Sequence, residues 1–400
     1  MSPLHRLWQA LPRGLRREAL FGGAALLAPR PARPEPDGAG PLYVAGYLGA
    51  ATGLGEGARM MLRAMNEAGL GAVGIDLTAA QRQGPPLPER ESAGEHLLPG
   101  AVPEGPGTIV LHVNGPMLPW ALLALGRRAV AGKRLIAYWA WELPELPADW
   151  RRGYGACHRI WAPSRFCAEV FARPMAGRPG FPAPLVVPHP PPEPDPAPLG
   201  RADFGLPEGA FIGLSIFDAT SSLWRKNPMA AIEAHRLAFG DSPEHVLVLK
   251  THGTARAGAA WEEVARAAAA RPNVRVLDAA LPRRDLWALT ACCDVLVSLH
   301  RAEGYGLTIA EAMALGRPVV ATGWSGNVDF MTGPGCFAVP WRLVPALDPQ
   351  ATYALSGAMW AEADQAAAAA ALRQVAGDPA LRGLPPARLP VPDYRAALAG

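Results

Sequence analysis

The stretch SLHRAEGYGLTIAEAMALGRPVVAT, from Ser298 to Thr322, decides the fold. An apolar run, Asp294 to Ser298, leads into it and has the length of a buried strand. A loop with Glu303, Gly304, Tyr305 and Gly306 follows, then a helical pattern from Leu307 to Leu315 and a second short apolar run, Pro318 to Ala321. Strand, loop, helix and strand in that order form a βαβ unit, which requires a parallel sheet. The two glycines let backbone approach an anion closely, and a helix opening near Gly306 aims N–H donors from Gly306 to Ile309, and its positive dipole end, at the same place. A diphosphate suits that position. Glu303 and Glu311 stand eight residues apart, one before the helix and one about a turn inside it. They can face one bound molecule at two depths, and carboxylates accept hydrogen bonds from sugar hydroxyls. On this reading Glu311 holds a ribose and Glu303 a transferred sugar. Gly304, Tyr305, Gly306, Leu307 and Thr308 line the donor between them.

Working outward, the same alternation repeats. Strands are expected at Phe211–Phe217, His245–Lys250 and Val274–Leu277, with helices at Pro228–Phe239, Trp261–Ala270 and Arg283–Ala291. A similar series comes earlier, with strands at Leu42–Gly46, Ala72–Leu77, Thr108–Val113, Leu135–Trp139 and Arg159–Ala162. A glycine-rich loop, Gly49–Gly57, precedes a helix at Ala58–Ala68, and a short helix is read at Ser164–Phe171. Between the two series, prolines nearly alternate with other residues from Pro188 to Leu199, which favours stiff extended backbone. The expected organisation is a basic and apolar lead segment (1–40), an acceptor-side doubly wound domain (41–190), a Pro-rich linker (191–200), a nucleotide-sugar-binding doubly wound domain (201–345) and a helical tail (346–400), Ala-rich from Tyr353 to Val375. In such an α/β chain of two Rossmann-like domains, each would offer the carboxyl ends of its strands to a central cleft.

Two further stretches bear on the site. FDATSSLWRKNP, Phe217 to Asn227 and Pro228, follows the first strand of the second series and carries Arg225 and Lys226, which can reach a diphosphate. TGWSGNVDF, Thr322 to Phe330, is a Gly/Ser loop in which Ser325, Gly326 and Asn327 can point donors at a sugar or phosphate. Together with the Glu303-to-Glu311 spacing and the run Glu311 to Thr322, these segments resemble the E-x7-E region of the retaining GT4 glycosyltransferases of GT-B fold, also described as glycosyl transferases group 1. The resemblance is strong from about Phe211 to Phe337 and diffuse before that. It implies a nucleotide-diphosphate sugar as donor, transfer to an acceptor hydroxyl with retention, and phosphate roles for Arg225 and Lys226. With Glu303, these form the expected catalytic set. Gly53, Gly55 and Glu56 resemble the family's N-terminal glycine loop beside the acceptor. Where the family often has a first-domain histidine, this chain offers His112 and Glu142, in the run Ala140-Trp141-Glu142-Leu143-Pro144.

Composition removes other classes. Half of the 400 residues are hydrophobic and 18% are charged, which opposes disorder. The net charge of +3 and the lack of a basic stripe with aromatics give no case for nucleic acid. Lysines are only Lys133, Lys226 and Lys250, and the last two are placed in loops near a strand end. Five cysteines without CxxC spacing fit free thiols in a reducing compartment. No DxD or HExxH is present, so no metal or other cofactor is expected. Leu4 to Leu27 mixes arginines with Trp8, Leu11, Leu15, Leu20 and Phe21, and reads as a solvated helix, a membrane-surface helix or an export signal. The expected setting is cytoplasmic, peripheral on the inner membrane face, with a saccharide or lipid-linked acceptor in polysaccharide or glycolipid synthesis. Competing readings are a catalytically silent nucleotide-sugar-binding scaffold subunit, a GT-B epimerase and an NAD-dependent dehydrogenase, the last lacking GxGxxG after its first strand.

Overall fold

The computed structural model describes residues 12–87, 95–176, 181–353 and 355–400. The chain divides into two units. The first comprises residues 1–141, 146–189 and 392–400, and the second 142–145 and 190–391.

The first unit is built on a six-stranded parallel sheet in the order β2-β1-β3-β4-β5-β6. Its strands are β1 (Leu42–Gly46), β2 (Val73–Asp76), β3 (Gly107–His112), β4 (Lys133–Tyr138), β5 (Arg159–Ala162) and β6 (Leu185–Val186). β1 and β3 are buried throughout, as strands covered on both faces must be. β1 lies between β2 and β3, so the strand order reverses there. The helix after β1 runs Gly53–Glu67, capped by Thr52 Oγ1, which accepts from Gly55 N at 3.1 Å. Gly53, Gly55 and Gly57 therefore form the first turn of that helix rather than the expected loop. A Thr cap placed ahead of them supplies the start signal that the glycines hide. The chain's last helix, Tyr394–Ala399, also belongs to this unit, with Tyr394 near Trp161 and Leu398 O accepting from Arg134.

The second unit repeats the plan in the order β12-β11-β10-β7-β8-β9, all parallel. The strands are β7 (Phe211–Ile216), β8 (His245–Thr251), β9 (Val274–Asp278), β10 (Val295–Ser298), β11 (Val319–Thr322) and β12 (Cys336–Val339). β7 sits between β8 and β10, and the loops after β7 and β10 open at the carboxyl ends of neighbouring strands where the order reverses. That is where ligands bind in open α/β sheets. Lys250 lies inside β8, not in a loop. Its ammonium donates to Thr251 O and Ala279 O, and burial lowers its pKa to about 8.

The segment expected as a helical tail begins differently. β13 (Trp341–Pro345) and β14 (Met359–Ala363) pair antiparallel before the helix Gln365–Gly377, which Asp364 caps. Met359–Ala363 has a single polar residue, Glu362, and no apolar–polar alternation, so its strand carries no period of its own beside the alanine-rich stretch that follows. The five cysteines are free. No helix among the described residues is long and apolar enough to cross a membrane.

Candidate functional site

The loop after β7 is held in an unusual shape. Ser222 and Asn227 both have positive φ, at 52° and 53°. Between them, one helical turn, Leu223–Lys226, is capped by Ser222 Oγ, which accepts from Arg225 N at 3.2 Å. Asn227 tolerates the left-handed region and Pro228 starts the next helix at its first position. The turn directs Arg225 and Lys226 toward the loop after β10.

There they meet Glu303. Its Oε1 lies 3.0 Å from Arg225 Nη1 and 2.5 Å from Lys226 Nζ. Arg225 also donates to Ala302 O at 2.9 Å and to Ser221 Oγ at 3.0 Å, and its guanidinium lies over the Tyr353 ring. Burial would raise the Glu303 pKa, but Lys226, Arg225 and His300 overcome it and hold it down at about 2. Burial pulls the Lys226 pKa down, against Glu303 and with the help of Arg225. Arg225 is pushed up despite its burial, chiefly by Tyr353, Glu303 and Glu142. The cluster is thus a buried set of compensated charges.

Glu142 belongs to the second unit with residues 143–145. Burial raises its pKa, Arg225 opposes, Glu303 adds to the rise, and Tyr353 hydrogen-bonds to it. Tyr353 arrives from the connection between β13 and β14. That connection is fixed to the site by Gln350, which accepts from Leu223 N at 2.5 Å and donates to Ala219 O at 3.0 Å. The base of the hairpin is tied in by Glu362. It accepts from Arg301 Nε at 2.6 Å and from Asn227 Nδ2 at 3.2 Å, while Arg301 lies between the rings of Trp224 and Trp360.

The third loop closes on the second. Glu303 N donates to Ser325 Oγ at 2.9 Å and Gly326 N to Glu303 O at 2.9 Å. A Cβ on Gly326 would stand 2.1 Å from Gly304 O, so only glycine fits. Gly306 has φ +100° and precedes the helix Leu307–Ala314. Ile309 N donates to Gly306 O at 3.0 Å, so the set of donors expected from Gly306 to Ile309 stops short of Ile309. A tight first turn uses that N–H internally. The Tyr305 ring is buried against Phe330 at 4.7 Å between centroids, and Leu307 packs against the same core.

Asn327 is fully buried and works with a residue that spacing alone had not marked, His300. Asn327 Nδ2 donates to Thr322 O at 2.9 Å, so its Oδ1 accepts from His300 Nε2 at 3.1 Å. His300 Nδ1 then accepts from Ser298 Oγ at 3.0 Å. Burial lowers the pKa of this histidine, which fits the neutral tautomer that the bonds require. Glu311 lies on the helix Leu307–Ala314, 4% exposed, with Oε1 2.6 Å from Arg283 Nη2.

In the first unit the candidate residues gather at the ends of β1 and β3. His112 is fully buried, stacked on Tyr138 at 4.4 Å and 5.8 Å from His189. Burial and then His189 hold its pKa far below the usual histidine value. A Cβ on Gly57 would reach the His189 ring at 2.5 Å, so this glycine admits the pair. Gly55 packs on Ala50 O and Tyr47 O, and Glu56 pairs with Arg59 at 2.7 Å.

Comparisons with known proteins bear on the fold and on residues 221–375. Residues 221–375 match the family model described as glycosyl transferases group 1. Among solved structures, Anabaena HepE in complex with UDP and glucose is similar over 85% of this chain and 91% of its own, at 14% identity and a TM-score of 0.56. WaaG, a glycosyltransferase involved in lipopolysaccharide biosynthesis, is similar over 85% and 92%, at 16% identity and 0.53. A mutant of S. aureus TarM in complex with fondaparinux, α-GlcNAc-glycerol and UDP is similar over 70% of this chain, at 10% identity and 0.50, and this chain spans 50% of that one. At these identities the likeness is one of fold. No curated protein matches the sequence. The chain has the two-sheet architecture of these GT-B glycosyltransferases. Its second unit carries, over residues 221–375, a glycosyl transferases group 1 domain.

Proposed function

We propose that the chain transfers a sugar from a nucleoside-diphosphate sugar, with a uridine donor the first to test, to an acceptor hydroxyl with retention of configuration. The observation that carries this is the joining of Arg225, Lys226, Glu303 and the N-terminus of Leu307–Ala314 where the strand order reverses. On this reading the two cations and the helix end take the charge of the leaving diphosphate, and Glu303 passes from cation partner to sugar ligand. Glu311 accepts from the ribose. Ser325, Gly326 and Asn327 shape the floor, kept rigid by His300. Glu142, bonded to Tyr353 beside Arg225, is the acceptor-side group. The UDP complexes of HepE and TarM support the choice of nucleotide.

The test is incubation with UDP-glucose, UDP-N-acetylglucosamine, GDP-mannose and ADP-glucose and a panel of saccharide and lipid-linked acceptors, following nucleotide release and the anomeric configuration of product by NMR. One donor turned over to an α-product, with Glu142→Gln lowering transfer more than donor hydrolysis, is the expected result. Inverted product, or no turnover of any donor, would sink the reading.

The acceptor is proposed to be saccharide or lipid-linked, in polysaccharide or glycolipid assembly at the inner face of a membrane. The helix Arg13–Leu27 leaves Leu15, Leu20, Leu26 and Leu27 exposed, which suits an interfacial helix. Leu26→Glu with Leu27→Glu should abolish sedimentation with anionic vesicles; unchanged binding contradicts the membrane role.

A further inference from the structure

Arg283 is placed against the ordinary electrostatics of helices. It is the first residue of the helix Arg283–Cys292, where the dipole disfavours a cation. Its neighbours behave conventionally: Arg284 pairs with Asp195, 58% and 74% exposed, and Asp285 sits in the first turn. Arg283 turns inward instead. Its Nη2 stands 2.6 Å from Oε1 of Glu311, whose side chain is 5% exposed. Four residues on, and so on the same helix face, Trp287 lies under the guanidinium at 5.0 Å. The guanidinium is therefore gripped by an aromatic face and by a buried carboxylate from a different helix.

Burial of a carboxylate is costly unless it is paired, and a planar guanidinium fixes the direction of the carboxylate it pairs with. A carboxylate can accept about four hydrogen bonds, so one arginine and two vicinal hydroxyls can share it. Glu311 is the expected ribose ligand, and an unheld glutamate on a helix has several rotamers and would lose entropy on binding.

We propose that Arg283, backed by Trp287, is a positioning residue that holds Glu311 in the direction of the ribose 2′- and 3′-hydroxyls and so makes the site select ribonucleotides over 2′-deoxyribonucleotides. This rests on the donor-site reading above. The arrangement also explains why a cation occupies a helix start: the carboxylate it serves belongs to the neighbouring helix.

Calorimetric titration of the full chain with UDP, 2′-deoxy-UDP, GDP and 2′-deoxy-GDP tests it. The wild type should bind one ribo form about tenfold or more tighter than its deoxy form, the worth of one hydrogen bond to a charged group. Arg283→Ala should lose most of that ratio, Glu311→Ala all of it, and Arg283→Lys should keep part. Double substitution should be no worse than Glu311→Ala alone. A merely structural arginine would weaken ribo and deoxy forms equally and leave their ratio unchanged, which overturns the proposal. Should Arg283→Ala unfold, Arg283→Lys and Trp287→Phe carry the same comparison, and an unchanged ratio in both also overturns it. Equal binding of ribo and deoxy forms by the wild type overturns it while sparing the donor site. Absence of binding by all four nucleotides defeats the donor-site reading and this proposal with it.

Discussion

The two units place polar groups at the same kind of topological position and treat them in opposite ways. At the end of β3, His112 and His189 are buried with their pKa values pushed down, packed on Tyr138 and Gly57. At the ends of β7 and β10, Arg225, Lys226 and Glu303 are buried as charges that compensate one another. A neutral cluster avoids the cost of burying charge. A charged one is stabilised only by partners, so any member can be exchanged for a ligand group of the same sign. The contrast supports the proposed binding of an anion by the second unit.

Variants can break that contrast, and the largest effect is expected at Glu303. Glu303→Ala removes the group proposed to hold the sugar and leaves two buried cations unpaired. Turnover should fall by about three orders of magnitude, at the upper end for a single electrostatic group. Next, Arg225→Ala and Lys226→Ala should each lower turnover by about a hundredfold, with the loss shared between donor affinity and kcat. If either left donor affinity and turnover intact, the cations would be structural. A smaller effect is expected in acid. His189 titrates at about 4 when folded against 6.5 unfolded, so the unfolded chain binds the proton first. Stability is full above pH 6.5 and is lost as pH falls toward 4. Glu303, depressed to about 2, loses its contribution only below about 4.5. His189→Asn should therefore flatten the pH dependence of chemical denaturation between pH 6.5 and about 4 and leave the region below about 4, where Glu303 titrates, unaltered. An unchanged slope from 6.5 to 4 would show that this histidine is not held neutral. Least of all, His112→Phe keeps the stack on Tyr138 and should change turnover by less than about threefold, under 1 kcal/mol of barrier. A loss beyond tenfold would return His112 to the acceptor side.

The sequence made the second unit legible for a physical reason. Glu303, Gly306 and Glu311 lie on one short strand-loop-helix, so local spacing encodes their geometry, and Arg225 and Lys226 stand on one capped turn. His300 was not legible, because its role depends on Ser298 and on Asn327, 27 residues away. Tyr353 and Gln350 were hidden by a tail whose alanines imitate a helix, when β13 and β14 instead form a hairpin beside Arg225. In the first unit the glycines at 53, 55 and 57 suggested a loop, and a Thr52 cap decided for a helix. Contacts between residues far apart in sequence set the first two outcomes, and a local cap set the third.

The most direct test of the central claim is isothermal titration of UDP into the wild type and into Arg225→Ala, with UMP as the single-phosphate control. Binding of UDP tighter than UMP in the wild type, with that difference collapsing in Arg225→Ala, is the predicted result. UDP and UMP bound alike by the wild type, or a difference that survives the loss of Arg225, would contradict the assignment of the leaving diphosphate to this cluster.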